Sequence, residues 1–344
     1  MNDRILRALR REPVDATPVW FMRQAGRALP KYRESRAERD MFELLRDPPA
    51  AAEITRMPLE YFPVDALVLY NDLSTPYFGA GFDLEMRRGV GPVVLNPIEE
   101  PADVERMTPF DPRVTLHYNL EQIRLLVATE QVPVLGFVGA PVTLAAYLLA
   151  GGRARELASL KSFMWSHPAA WHRLADFWAI HMAEFGIAQA EAGAAAVQVF
   201  DSWAGSLSVQ DYEEFVFPHM KTIFDRLARA NVPSINFFTG NPALLPLVTA
   251  AGGDCMSIDW RMPIDQAWDV IGPERAVQGN LDPAALLAGR EFAIRRTRDI
   301  LDRVAGRPGH IFNCGHGLHA ETDHTVVRAV AEFVHEYTAK QGQG

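Results

Sequence analysis

Lysine is nearly missing from this sequence. Only Lys31, Lys161, Lys221 and Lys340 occur in 344 residues, so almost all of the 34 basic side chains are arginine. None of these lysines ends a segment that reads as a strand, which removes the nucleophile of Schiff-base aldolase chemistry. Cysteine is scarcer still. Cys255 and Cys314 form no CxxC pair, and no signal-type apolar run follows Met1-Asn-Asp-Arg, so a reducing cytoplasm without a structural disulfide is expected. Arg, Glu, Pro or Gly interrupts every apolar run before membrane-spanning length, so no membrane partner is expected. The formal net charge is −9, and an acidic chain without an extended basic face excludes nucleic acid as a principal partner. A Gly-x-Gly-x-x-Gly fingerprint after the first apolar segment is also absent, against a doubly wound nucleotide fold.

What is present is a large apolar complement, 48% of residues, enough for a substantial core. The length leaves both two domains and one large barrel open. Short runs rich in Val, Ile and Phe recur, each followed by a loop and a longer stretch of helical period. They predict strands over residues 18–21, 66–70, 133–137, 195–200, 233–237, 254–258, 275–278 and 310–313. Helices are predicted over residues 41–61, 116–130, 168–192, 209–230, 242–251, 264–270, 283–305 and 321–337. Trp171, Leu174, Trp178 and Phe185 fall on one stripe of the third helix and read as core. Eight such units predict an α/β fold, a single (β/α)8 TIM barrel over residues 1–340, with a small hairpin between Gly79 and Leu95 and a loose tail at 341–344.

Barrels of this kind place their chemistry at the carboxyl ends of the strands. Those positions hold Met22-Arg23-Gln24, Asn71-Asp72, Gly139 to Tyr147, Asp201-Ser202-Trp203, Thr239-Gly240, Asp259-Trp260, Gly279 to Pro283 and Gly315-His316-Gly317. The first adjoins a basic island: residues 18–39 hold Arg23, Arg27, Lys31, Arg33, Arg36 and Arg39 against Glu34 and Glu38. A local excess of guanidinium forks suits carboxylate or phosphate ligands. Arg33, Arg36 and Arg39 read as a solvated helix face. Arg23 and Arg27, in a Gly- and Pro-punctuated loop, read as binding groups.

Five segments in order resemble the uroporphyrinogen decarboxylase family over nearly the whole length. They are Met22-Arg-Gln-Ala-Gly-Arg27 with Leu29-Pro30 and Tyr32-Arg33; Gly136-Phe-Val-Gly-Ala-Pro-Val-Thr-Leu144 through Tyr147 and Gly151-Gly152; Phe200-Asp-Ser-Trp-Ala-Gly205; Gln278-Gly-Asn-Leu-Asp-Pro283; and Gly315-His-Gly317. The resemblance implies conversion of the four acetates of uroporphyrinogen III to methyls, giving coproporphyrinogen III and CO2. It further implies no cofactor, no metal and a homodimer. Asp72 matches the family's central aspartate, which takes hydrogen bonds from the pyrrole N–H groups. Its plainer reading is a turn cap before Ser74-Thr75-Pro76. Arg23 and Arg27 match carboxylate-binding arginines, with Arg23 a candidate proton donor; Gln24, Tyr147, Ser202 and His316 match the remaining polar contacts. Asp72, Arg23 and Tyr147 are the expected catalytic set. His316, between glycines at a strand end, is favoured over His181. His310, His319 and His324 read as surface or loop residues, and both cysteines as buried filler.

The sequence departs from the family pattern at Ala28, Lys31, Asn71 and Ala320, which alters the lining of the mouth but removes no charged catalytic group. Two other readings remain. The wider superfamily resembles zinc-dependent corrinoid methyltransferases, which want a His-x-Cys pair where this chain offers Asn236-Phe-Phe238. A tetrapyrrole-binding barrel without turnover is the other.

Overall fold

A computed structural model describes residues 2–87, 90–149 and 157–341. Seven parallel strands form one sheet in sequential order: β1 (Leu67–Val68), β4 (Val134–Gly139), β5 (Ala196–Asp201), β6 (Ser234–Phe238), β7 (Cys255–Ser257), β8 (Ala276–Leu281) and β9 (His310–Cys314). Each neighbouring pair is parallel, as when Gln198 of β5 stands opposite Ile235 of β6. The antiparallel hairpin of β2 (Leu84–Arg87) and β3 (Gly91–Val94) lies outside that sheet, where the glycine-rich insert predicted it.

The eighth stave is irregular. The segment expected as the first strand makes a single parallel bridge, Val19 to Phe312. Phe312 N donates to Pro18 O at 2.8 Å on one side, and Asp65 N donates to Val19 O at 2.8 Å on the other, so the segment joins β9 to the approach to β1. Side chains explain why it forms no longer ladder. The amides of Val19, Phe21 and Met22 donate instead to Asp65 Oδ2, Gln24 Oε1 and Asn313 Oδ1.

A hydrogen-bonded polar layer crosses the barrel interior among apolar side chains. Trp20 Nε1 donates to Gln278 Oε1 at 2.9 Å, and Gln278 Nε2 donates to Gln198 Oε1 and Ser257 Oγ. Buried amides paired in this way are rigid, since each broken bond would leave an unsatisfied group in low dielectric. Outside, the helix Pro168–Glu191 lays its predicted stripe of Trp171, Leu174, Trp178 and Phe185 against the sheet, all four buried.

Three predicted helices are interrupted, each at a residue that cannot continue one. The first becomes Met41–Leu45, Pro48–Arg56 and Pro58–Tyr61; Asp40 and Asp47 cap the first two of these. The second divides into Val209–Phe215 and Phe217–Arg229 ahead of Pro218, and the third into Ala284–Leu287 and Arg290–Val304 at Gly289, whose φ is 92°. Helices at Arg4–Leu9, Pro141–Leu149 and Ala158–Ser166 were not anticipated, whereas Arg33 and Arg36 lie on a helix as read, Pro30–Glu38. His310 corrects another expectation: it is buried in β9, its Nε2 3.0 Å from Gly279 O, and burial pushes it down to about 4. Among the described residues no helix is long and apolar enough to cross a membrane.

Candidate active site

Arg23 stands at the end of the irregular stave with φ 62°, a left-handed backbone that a non-glycine residue adopts only when its surroundings hold it there. Leu318 N donates to Met22 O at 2.9 Å, which ties the loop after β9 to the residue before Arg23. A β-carbon on Gly26 would lie 2.6 Å from Arg23 O, and one on Gly317 would lie 2.4 Å from Arg23 Cδ. Two glycines therefore make room for the backbone and for the side chain of this one arginine.

The cations of the basic island fall into two groups. Lys31 pairs with Glu60, Arg39 with Asp47 at 2.9 Å, and the Arg33 and Arg36 guanidiniums donate to the carbonyls of Arg27 and Arg39. Arg23 and Arg27 are exposed, and among the described residues neither meets a carboxylate. Two guanidiniums on one loop without a carboxylate partner among the described residues leave local positive charge there.

Asp72 follows β1. Its Oδ1 accepts from Ser74 N at 2.9 Å and from Ser74 Oγ at 2.5 Å, so the turn-capping reading holds for one carboxylate oxygen. Asn71 reinforces the same turn by accepting from Thr75 Oγ1 at 2.8 Å. Tyr147, on the helix Pro141–Leu149, is pushed up chiefly by burial and further by the Asp72 carboxylate, with Trp203 and Arg23 acting the other way. It is therefore a neutral phenol that senses both charged groups. His316 is pushed down to about 4, first by burial and then by Arg23, so it is a neutral imidazole at physiological pH. Gly317 N donates to His316 Nδ1 at 2.8 Å, which leaves the proton on Nε2 as a donor. Arg23 thus stands electrostatically between the Asp72–Tyr147 pair and His316. Ser202 is half-buried, its amide held by Thr143 Oγ1 at 3.0 Å.

Gln24 does not join this group. It is 0% exposed, its Oε1 accepts from Phe21 N at 3.0 Å and its Nε2 donates to Ala66 O at 2.9 Å, so both ends of the amide brace the barrel. Gly151-Gly152 lie outside the described residues. Of the departures from the family pattern, Ala28 is buried and Lys31 is turned to Glu60.

Sequence reading gave no role to Asp259 and Arg261. Asp259, past β7, accepts from Thr239 Oγ1 at 2.6 Å and Gly240 N at 2.8 Å and pairs with Arg261. Arg261 lies over the Trp260 ring at 4.7 Å, and its charge too lowers His316. The signal was the strand-end position of Asp259-Trp260, with the following arginine unread. Cys255 and Cys314 are buried free thiols, both raised by burial. No three His, Cys, Asp or Glu side chains among the described residues gather as a metal set, so a zinc-thiolate site finds no donor set there.

Comparison with known proteins places the chain in a family. A family model described as uroporphyrinogen decarboxylase (URO-D) matches residues 1–337. Uroporphyrinogen decarboxylase of a Roseiflexus species is 46% identical over 346 residues, covering 98% of this chain and 99% of that one. The Thermus thermophilus protein of that name is 44% identical over 339 residues, covering 98% and 99%. Among solved structures, a methyltransferase from Methanosarcina mazei superposes with a TM-score of 0.80 over 98% of each chain; at 18% identity this likeness speaks for the barrel fold alone. The chain belongs to the uroporphyrinogen decarboxylase family.

Proposed function

We propose that this protein decarboxylates uroporphyrinogen III, turning its four acetate side chains into methyls and releasing CO2 to give coproporphyrinogen III. An acetate on an electron-rich pyrrole loses CO2 once the adjoining ring carbon is protonated, because the cationic ring accepts the electrons left by the breaking C–C bond. A second proton then completes the methyl, and the ring carbon gives up the first to restore the pyrrole. The substrate is its own electron sink. What remains for the protein is to hold carboxylates, deliver protons and offset the positive ring.

The observation that supports the reading is that the buried Tyr147 phenol feels both the Asp72 carboxylate and the guanidinium of Arg23, which like Arg27 on the same loop has no carboxylate partner among the described residues. In this reading the arginines take substrate carboxylates in fork geometry. The Asp72 oxygen not engaged by Ser74 accepts from the pyrrole N–H groups and balances the protonated ring. Tyr147 and the Nε2–H of His316 donate to propionate or acetate oxygens, and Ser202 does the same from the opposite strand end. An arginine is a poor acid at its usual high pKa, so Arg23 as proton donor would pass the proton through a bound carboxyl or water. The protein works as a homodimer in the cytoplasm, a state that sedimentation at micromolar concentration tests.

Incubation with anaerobically reduced uroporphyrin, followed by chromatography of the products, tests the activity. Stepwise appearance of the seven-, six-, five- and four-carboxylate species is expected. Tight binding without CO2 release would leave only the non-catalytic barrel.

A further inference from the structure

The loop that carries Ser202 is held by a group with no part in the chemistry described so far. Asp201, the last residue of β5, is 1% exposed. Its Oδ1 accepts from the Thr143 hydroxyl at 3.2 Å, and that same hydroxyl oxygen accepts the Ser202 N–H at 3.0 Å. Thr143 therefore links Asp201 to the backbone of the site residue next to it. Asp201 Oδ2 is buried with no partner among the described residues. Among the described residues no cation offsets this carboxyl: against burial stand only the Thr143 hydroxyl and the Ala204 amide. The titratable group that faces it among the described residues is Tyr212, on the helix Val209–Phe215, whose own hydroxyl is buried with no partner among them and is raised by burial and by Asp201. Thr143, on the helix Pro141–Leu149, is uncharged.

A carboxylate stripped of water and given no positive neighbour is strongly disfavoured against its neutral acid. Burial accordingly pushes Asp201 up to about 7. Ionisation there would force water in or move the chain, and the Ser202 loop has no slack to absorb it. A β-carbon on Gly205 would lie 2.1 Å from Thr239 O and 2.6 Å from Gly240 Cα, so the loop already rests directly on the next one.

We propose that Asp201 is a positioning residue for the decarboxylation, acting as a neutral acid that fixes Ser202 at the mouth through Thr143, and that loss of its proton loosens that loop. The proposal rests on the decarboxylase reading above. Its chemistry predicts an unusual pair of variants, because asparagine copies a protonated carboxyl whereas alanine copies neither form.

The test is a pH profile of kcat between about pH 6 and pH 9 for the wild type, Asp201→Asn and Asp201→Ala, with infrared spectra of the same proteins. The wild type should lose about tenfold in kcat per pH unit on the alkaline side of a group near 7. Asp201→Asn should keep near-wild-type kcat at the acid end and lack that limb. Asp201→Ala, folded by circular dichroism, should lose roughly tenfold or more at every pH. A protonated-carboxyl band that titrates near neutrality should be present in the wild type and missing from Asp201→Asn. An unchanged alkaline limb in Asp201→Asn, or wild-type rates in Asp201→Ala, overturns the proposal even if the infrared band behaves as expected. A wild type that releases no CO2 at any pH overturns the decarboxylase reading and the proposal with it, and its own rate distinguishes that failure from the others.

Discussion

A β-carbon placed on Gly317 would lie 2.4 Å from Cδ of Arg23 and 2.9 Å from its Nε. The glycine after His316 is thus the floor on which the first-loop arginine lies. Gly317 itself is outside the left-handed region, so alanine is allowed by its backbone and the strain falls on the arginine side chain. Gly317→Ala should therefore fold normally with the Arg23 guanidinium displaced. An increase in KM for uroporphyrinogen of roughly tenfold, about one charge-assisted hydrogen bond, is expected. Steady-state kinetics beside a thermal melt checks this; unaltered KM and kcat would mean that the contact has no bearing on substrate.

Asp72 caps its turn with one oxygen and in the proposed function meets the pyrroles with the other, which makes asparagine an informative replacement. The Oδ1 of an asparagine can still accept from Ser74 N and Ser74 Oγ, so the turn should survive. The negative charge that would balance a protonated pyrrole is lost. Asp72→Asn should keep the wild-type melting temperature while kcat falls roughly a hundredfold or more, in the range of lost transition-state electrostatics. Single-turnover measurement of CO2 release checks it, and a rate within a few fold of wild type would take Asp72 out of the chemistry.

The positions of the staves were legible because Val, Ile and Phe runs bury both faces of a parallel strand, and the strand-end places of Asp72, Ser202 and His316 followed from those runs, their roles being proposed from the family resemblance. Other features were not local. Gln24 reads from sequence as a polar residue beside a site arginine, and only the fold reveals that Phe21 and Ala66 consume both ends of its amide. Asp201 reads as one more strand-end carboxylate, since burial without a cation is a property of packing. The breaks at Pro48, Pro58 and Pro218 were written in the sequence, but continuous apolar periodicity across them obscured the stop signals. His310 went unrecognised as core because a lone histidine in a short apolar run gives no sign of the carbonyl, Gly279 O, that receives it.

Arg27, like Arg23, has no carboxylate partner among the described residues, and it is exposed. Its removal should cost the folded state little, within about 0.5 kcal/mol, as for ordinary surface substitutions. The loss should appear in substrate binding. Arg27→Ala is expected to raise the KM for uroporphyrinogen by roughly ten- to a hundredfold, with a smaller effect on porphyrinogens that carry fewer carboxylates. Competition between the eight- and five-carboxylate substrates measures this directly. Equal loss for both would assign Arg27 a general field effect instead of a defined carboxylate.

Acid should destabilise this protein through two histidines. Burial is the first cause at both His310 and His316, and each is pushed down to about 4 from an ordinary value of 6.5. The unfolded chain therefore takes up protons between those values while the native state does not. Stability from these groups is present above the unfolded value and is lost as pH falls towards the folded one, by up to about 1.4 kcal/mol per pH unit for each histidine. Thermal melts should show a falling midpoint from about pH 6.5 to pH 4. His316→Gln, which keeps a neutral donor at the mouth, should flatten part of that fall, and catalysis by the wild type should show no acid limb from this imidazole near neutral pH. A variant whose melting midpoint tracks the wild type throughout the acid range would mean that His316 is already charged in the native state.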